Sequence, residues 1–311
     1  MRETEKIWMN GELVDWADAR IHVGAHGLHY GTGVFEGIRC YDTPRGPAVF
    51  RLTDHLKRLH SSAKLLSMDL PYSVEELRSA SLELIGVNGL PDCYLRPMAF
   101  FGYGELGVAV RGNPVEVVIM SWPWGAYLGE EGLKNGIRAK TSSWRRVGPN
   151  TIPHAAKATG IYLNSVLAVT EVMRAGYDEA ILLTEDGFIA DGSGEHIFVV
   201  KEGAIATPPL STSILPGITR NAVIQIAQDL GYTVEEKNLI RSDLYLADEV
   251  FMCGTAAEVT PVREVDDQLI GPPGEVTLKL QKAYLACVRG IDERWSHWLE
   301  HAELLGAAKN L

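Results

Sequence analysis

The chain has 311 residues, 46% of them hydrophobic and 22% charged, a composition that excludes disordered and fibrous classes. Its formal net charge is −11, from 29 Lys and Arg against 40 Asp and Glu, which disfavours a sequence-independent grip on nucleic-acid phosphates. At roughly 100 to 200 residues per domain the length suggests two domains, each with enough Leu, Ile and Val for a core.

The opening stretch MRETEKIWMNGELVDWADAR is charged from its second residue and lacks the apolar segment of a signal peptide. Short apolar runs on either side of Gly11 predict a hairpin. Over Asp54 to Met68 the apolar positions Leu56, Leu59, Ala63 and Leu66 recur at three and four residue intervals, which predicts an amphipathic helix with Lys57, Arg58 and Lys64 on its other faces. Tyr94 to Phe101 and Val115 to Trp122, rich in β-branched and aromatic residues, predict strands of an antiparallel or mixed sheet. Pro123 to Gly136 holds four glycines and a proline and is the expected linker. It separates a small N-terminal α/β domain, residues 1–122, from a larger domain, residues 137–311, with 123–136 as the interdomain loop. Beyond the linker a helix is expected over Ile161 to Arg174. Strands follow at Ala180 to Thr184, Phe188 to Ala190 and Ile197 to Val200, separated by Asp186-Gly187 and Gly192-Ser193-Gly194 turns. Pro216-Gly217 before and Gly231 after mark a helix over Thr219 to Leu230. The fold class expected is α+β.

Cys40, Cys93, Cys253 and Cys287 form no CxxC pair, so neither a disulfide framework nor a zinc cluster is indicated, and a reducing cytoplasm is the expected compartment. No uncharged apolar run reaches about 18 residues, so no membrane span is expected. Three patterns are set aside. Gly102, Gly104 and Gly107 match GxGxxG, but Val108-Ala109-Val110 and Pro114 open no helix behind them. Ser61-x-x-Lys64 lies inside the amphipathic helix with no SDN or KTG partner downstream. His22, His26 and His29 are spaced as metal ligands can be, yet Gly24 and Gly27 break any helix that would gather them, and no metal is expected.

One of the eleven lysines stands apart: Lys157 is the only charged residue between Arg146 and Glu171, flanked by Ala155, Ala156, Ala158, Thr159 and Gly160. An ammonium in such a stretch tends to be desolvated, which favours the nucleophilic amine; a lysine that reaches from a loop to water fits the composition equally well. Anion-binding backbone in the same half tips the balance. Leu215-Pro216-Gly217-Ile218-Thr219 leads into a helix, so its N–H groups and the Thr219 hydroxyl can cradle a phosphate at the positive end of the dipole. Gly254-Thr255-Ala256-Ala257, after the apolar strand Val250 to Met252, offers a second such turn. An imine-forming lysine with a phosphate cradle is what pyridoxal phosphate requires.

HYGTGVFEGIRCY at His29, RLTDHLKRLHSSAKLL at Arg51, YLRPMAFFGYGELGV at Tyr94 and PWGAYLG at Pro123 carry a resemblance that continues in the second half. There it rests on KATGIYLNS at Lys157, GYDEAILLTEDGFIADGSGEHIFVV at Gly176, TPPLSTSILPGITR at Thr207 and LADEVFMCGTAAEVTPV at Leu246. With these eight segments in order the chain resembles the branched-chain amino acid aminotransferases, of the fold type IV group of pyridoxal phosphate enzymes. The resemblance implies a small N-terminal domain and a larger domain with a mixed, barrel-like sheet that binds pyridoxal 5′-phosphate. It implies that Lys157 forms the internal aldimine and then moves the proton between Cα and C4′, and that Tyr162 lies near the cofactor O3′. Arg58, Leu215, Gly217, Ile218, Thr219, Gly254 and Thr255 would hold the phosphate. Asp191 stands where the family most often has the glutamate that pairs with the pyridinium nitrogen, and Glu195 is the fallback.

For the substrate, the resemblance implies an apolar pocket of Tyr30, Phe35, Val108, Trp124, Tyr127 and Tyr162, with Thr255 and Ala256 offering N–H groups to the α-carboxylate and Arg96 meeting the side-chain carboxylate of glutamate. The activity implied is ping-pong exchange of an amino group between branched-chain L-amino acids and 2-oxoglutarate, in a cytoplasmic homodimer or multiple of dimers whose partners are small amino acids and 2-oxo acids. Where the family often has Asn-Pro after the Gly107-Val108 pair, this chain has Ala109-Val110. That departure and Asp191 leave a D-amino acid or (R)-amine transaminase as the alternative, and Tyr94-x-Arg96 with Gly104 to Val108 count against it.

Overall fold

The computed structural model describes residues 2–110, 112–125 and 128–304. Contacts divide them into two compact units, one drawn from Met1–Trp124, Ala156–Gly160 and Ala286–Leu311, the other from Gly125–Ala155 and Ile161–Leu285. The units are not contiguous along the chain, and the short segment bearing Lys157 is counted with the first.

The first unit is built on an eight-stranded sheet. Its strand order is Leu299–His301, Ala48–Phe50, Ile38–Tyr41, Cys93–Phe101, Val115–Pro123, Lys6–Met9 and Glu12–Asp15, with Gly33–Phe35 also paired to Cys93–Phe101. The expected hairpin forms between Lys6–Met9 and Glu12–Asp15, and Gly11 turns it at φ +97°, a value that favours glycine. Cys93–Phe101 and Val115–Pro123 pair antiparallel along their full length, with Arg96 opposite Met120. The helix expected from periodicity spans Leu52–Leu65 and buries Leu52, Leu56, Leu59 and Ala63, alongside Val74–Val87, which Ser73 and Glu76 start with a reciprocal capping box. One expectation for the first helix is corrected. Lys57 is exposed, but the Arg58 side chain is only 11% exposed because it turns inward to the carboxylate of Glu36.

The second unit carries a nine-stranded mixed sheet, in the order Ile189–Gly192, Glu179–Leu183, Ile137–Arg145, Glu258–Val265, Glu249–Gly254, His196–Lys201, Ala204–Thr207 and Val234–Glu236, with Gln268–Leu269 paired to Glu258–Val265. Ile137–Arg145 runs parallel to both its neighbours. This is the curled, mixed sheet of the fold expected. Its core includes Ile137, Ala139, Ile181, Leu183, Ile197, Met252 and Val262, and the strands Glu179–Leu183, Ile189–Gly192 and His196–Lys201 are buried at every position except Lys201. The helix Tyr162–Arg174 lies over Ile137–Arg145 and Glu179–Leu183, burying Ala168 and Val172 against Ala180 and Leu182.

Two local expectations differ from the outcome. Within Pro123 to Gly136, Pro123 ends a strand and Gly129–Asn135 is helical, because Glu130 and Glu131 in the first turn and Lys134 in the last complement the helix dipole. Gly27 does not break a helix but sits inside the short one, His26–Tyr30, where a Cβ would come within 3.0 Å of Phe100 Cβ. His26 is buried, and its ring bonds Thr32 Oγ1 and the Gly107 carbonyl, both at 2.7 Å. Among the described residues no group of His, Cys, Asp and Glu has the arrangement of a metal site, and no helix is long and apolar enough to cross a membrane.

Candidate active site

In the first unit, Lys157 is held through its backbone. Its carbonyl accepts from Phe35 N at 3.0 Å and its amide donates to Ser62 Oγ at 3.0 Å, so the segment lies beside the strand Gly33–Phe35 without being part of the sheet. Thr159 Oγ1 donates to the Gly31 carbonyl at 2.7 Å. That crossing needs glycine, since a Cβ at Gly31, already at φ +65°, would stand 2.9 Å from Gly160 Cα. The Lys157 side chain is half-buried, with Nζ 5.0 Å from the Phe35 ring centroid.

Phe35 also faces Arg96, whose guanidinium carbon lies 4.6 Å from the Phe35 ring, 5.5 Å from Tyr94 and 5.9 Å from Trp122. Tyr94, Trp122 and Trp124 pack on one another with centroids 4.7 to 6.0 Å apart. Arg96 Nε is buried with no hydrogen-bond partner among the described residues. A buried guanidinium N–H among aromatic rings is costly to leave unsatisfied, and a carboxylate is its natural complement.

Behind Lys157 is a constellation that the sequence pattern did not reveal. Glu36 is fully buried; its Oε1 accepts from Arg58 Nε at 2.7 Å, and its Oε2 from Arg58 Nη2 and His55 Nδ1, both at 2.7 Å. Burial alone would push the Glu36 carboxyl up, but Arg58, then His55, outweigh it and bring it down to about 2. Burial holds His55 below its ordinary value. The available signal was a lone carboxylate in the apolar run Val34 to Ile38, a residue that has to be paired when such a run is buried. Because the folded value lies below the ordinary 4.5, the stability Glu36 contributes is complete above that pH and lost as pH falls through 2. Replacing it as Glu36→Gln should cost about 2 kcal/mol at neutral pH. In urea titrations the gap between wild type and variant should shrink as pH is lowered from 4.5 toward 2; a gap independent of pH would show that charge is not what Glu36 contributes.

In the second unit, Gly217 starts the helix Ile218–Asp229 without a side-chain cap, and a Cβ there would collide with the His196 ring. Thr219 Oγ1 and Thr255 Oγ1 lie 3.4 Å apart, which brings the helix start and the turn after Glu249–Gly254 together as one group of hydroxyl and N–H donors. Leu215, Thr255, Ala256 and Tyr162, the first residue of its helix, are half-buried. Asp191 ends up against Arg146, a partner that sequence spacing did not signal: Arg146 Nε donates to Asp191 Oδ1 at 2.8 Å and Nη2 to the Gly192 carbonyl at 2.7 Å. Burial pushes Asp191 up to about 6 against the pull of Arg146. Glu195 is buried and accepts from Gly194 N at 3.0 Å.

Among the remaining predicted residues, Trp124 is half-buried, whereas Tyr30 is 45% and Val108 92% exposed in the single chain. Tyr127 lies outside the described residues.

A sequence model of the family described as amino-transferase class IV matches residues 33–265. The chain is 50% identical over 303 residues to the branched-chain-amino-acid aminotransferase of Escherichia coli (strain K12), covering 96% of this chain and 98% of that one. It is 48% identical over 294 residues to the enzyme of the same name from Pseudomonas aeruginosa, covering 94% and 95%. The crystal structure of the Escherichia coli enzyme superposes with a TM-score of 0.94 at 50% identity, over 96% of this chain and 99% of that one. The branched-chain amino acid aminotransferase from Thermobaculum terrenum, solved in its PLP form, superposes with a TM-score of 0.90 at 35% identity, over 96% and 99%. With a family model over most of the chain and a relative half identical over nearly all of it, the chain belongs to the class IV aminotransferases.

Proposed function

We propose that this chain transfers the amino group between branched-chain L-amino acids (leucine, isoleucine and valine) and 2-oxoglutarate, with pyridoxal 5′-phosphate as cofactor. The observation that carries the reading is the Arg96 guanidinium, its buried Nε without a partner among the described residues and its faces against Phe35, Tyr94 and Trp122. An aromatic wall takes a branched aliphatic side chain, and an arginine set into that wall takes the side-chain carboxylate of glutamate, so one pocket serves both substrates in turn. Relatives about half identical and named for the same activity support the reading.

The chain's donors fit the cofactor. Class IV aminotransferases are pyridoxal phosphate enzymes, and the paired Thr219 and Thr255 hydroxyls beside an uncapped helix start suit a phosphate. When bound, the cofactor supplies a conjugated ring that accepts the electron pair left on the substrate Cα. Lys157 would hold the cofactor through Nζ and would serve as the base that moves the substrate Cα proton. Tyr162 would offer its phenol to the cofactor's ring hydroxyl. Asp191, as the carboxylate, would keep the ring nitrogen protonated. Leu215, Gly217, Ile218, Thr219, Gly254 and Thr255 orient the phosphate and Arg58 adds charge, while the N–H groups of Thr255 and Ala256 bind the α-carboxylate. Tyr30, Trp124 and Tyr127 complete the apolar wall. The loop bearing the exposed Val108 is assigned to a second copy of the chain, so the enzyme works as a homodimer or a multiple of dimers, in the cytoplasm.

Initial rates with L-leucine, D-alanine and (R)-1-phenylethylamine as amino donors, at equal concentration with 2-oxoglutarate as acceptor, test the reading. Leucine should lead by at least about a hundredfold, the discrimination a shaped pocket provides; a preference for either of the others would select the alternative transaminase.

A further inference from the structure

Asp191 is poorly equipped, by itself, to hold a proton on a cofactor ring. Arg146, 6% exposed, already sits on it at 2.6 Å through Nη2, and a guanidinium on a carboxylate lowers its attraction for a second cation. Beside this ion pair lies a second pair of acids, near enough for their charge to act on Asp191. Glu179 begins the strand Glu179–Leu183, Glu195 precedes the strand His196–Lys201, and the two are 1% and 4% exposed. Their carboxyls take adjacent amides of one turn, Glu179 that of Ser193 and Glu195 that of Gly194, and two buried acids held so close favour a state in which one of them carries the proton. The backbone decides which. Glu179 Oε1 accepts from Ala180 N at 2.7 Å and Ser193 N at 3.2 Å, whereas Glu195 has the Gly194 N–H alone, at 3.0 Å. Donors favour the charged form, so Glu179 keeps the negative charge and Glu195 the proton. Burial pushes both acids up, Glu179 above its ordinary value and Glu195, with the Glu179 charge beside it, well above. With Asp191 and Arg146 cancelling, the Glu179 charge is the excess in the cluster.

We propose that Glu179 is a positioning residue for the cofactor: through a buried carboxyl pair with Glu195 that holds one proton and one negative charge, it offsets Arg146 and lets Asp191 keep the ring nitrogen protonated. The inference rests on the functional reading above and extends it to a residue that does not touch the ring. It makes Glu195 a neutral acid that fixes the Glu179 carboxylate, not the partner of the ring nitrogen. Glu179→Gln removes the charge, whereas Glu195→Gln keeps it, because an amide still donates to Glu179.

Two measurements test this. The first is the infrared spectrum of the apoprotein at neutral pH, where the carbonyl stretch of a protonated carboxylic acid should be present in wild type and absent in Glu195→Gln. Its absence from wild type overturns the pair without reference to any cofactor. The second is nitrogen NMR of protein loaded with ring-labelled pyridoxal 5′-phosphate. The ring nitrogen should be protonated in wild type and Glu195→Gln. In Glu179→Gln it should shift toward the unprotonated form, with turnover down about tenfold, as for one pKa unit. Glu179→Asp should restore both. A protonated nitrogen in Glu179→Gln, or equal loss in both glutamine variants, overturns the proposal, and an unfolded Glu179→Gln leaves the Glu195→Gln comparison to decide it. Wild-type protein that takes up no pyridoxal phosphate would refute the functional reading, while the infrared band still reports on the pair.

Discussion

Lys157→Ala should abolish covalent retention of the cofactor and lower transamination by about ten-thousand-fold, the upper range for losing a positioned acid–base group. Borohydride reduction of loaded wild-type protein followed by proteolysis should give a cofactor adduct on the peptide containing Lys157, and the variant should give none. The expectation follows from how the residue is held. Its backbone is pinned on both sides by Phe35 N and Ser62 Oγ, so removing the side chain leaves the segment in place and takes away only the amine. Small primary amines added to the variant should recover part of the lost rate, because the segment still has its small alanine and glycine neighbours. An adduct on any other lysine would move the catalytic assignment elsewhere.

Arg96→Leu should separate the two substrates. Turnover per unit KM with glutamate should fall by roughly a thousandfold, because the apolar replacement leaves a desolvated carboxylate with no counter-charge. With leucine it should change by less than about tenfold, since the Phe35, Tyr94 and Trp122 surfaces remain and leucine brings no second carboxylate. Equal losses with both donors would mean that Arg96 supports the aromatic wall instead of reading the substrate.

Elements with a strong local period are legible in the sequence itself. The helix Leu52–Leu65, the long strand pair Cys93–Phe101 with Val115–Pro123, and the helix Ile218–Asp229 lie within three residues of where apolar spacing, β-branched runs and the Pro216-Gly217 signal put them. Lys157 is visible as an isolated charge among small residues. Periodicity, however, assigns a face and not a partner. Arg58 reads as one of three cations on the outer faces of a helix, and only the fold shows that Glu36, 22 positions away, draws it inward. Arg146 and Asp191 are 45 positions apart, and Ser62 and Lys157 are 95. Glu36 escapes notice as a single acid in an apolar run, and Glu179 because it follows Asp178 at the head of one; hydropathy treats both as noise, although burial leaves each of them needing a partner. The helix Gly129–Asn135 escapes because its glycines outweigh its capping charges in a loop-by-composition reading.

The central claim is an amino group passed from a branched-chain amino acid to the protein-held cofactor and then to a 2-oxo acid. A single-turnover experiment tests it most directly: cofactor-loaded protein is mixed with excess L-leucine and no acceptor, and the 2-oxo acid of leucine is quantified by rapid quench. The account predicts a burst of one equivalent per protomer that then stops, with the amino group recovered as glutamate only when 2-oxoglutarate is added. No oxo acid before the acceptor is present, or continuous release without it, would contradict a two-step exchange at this site.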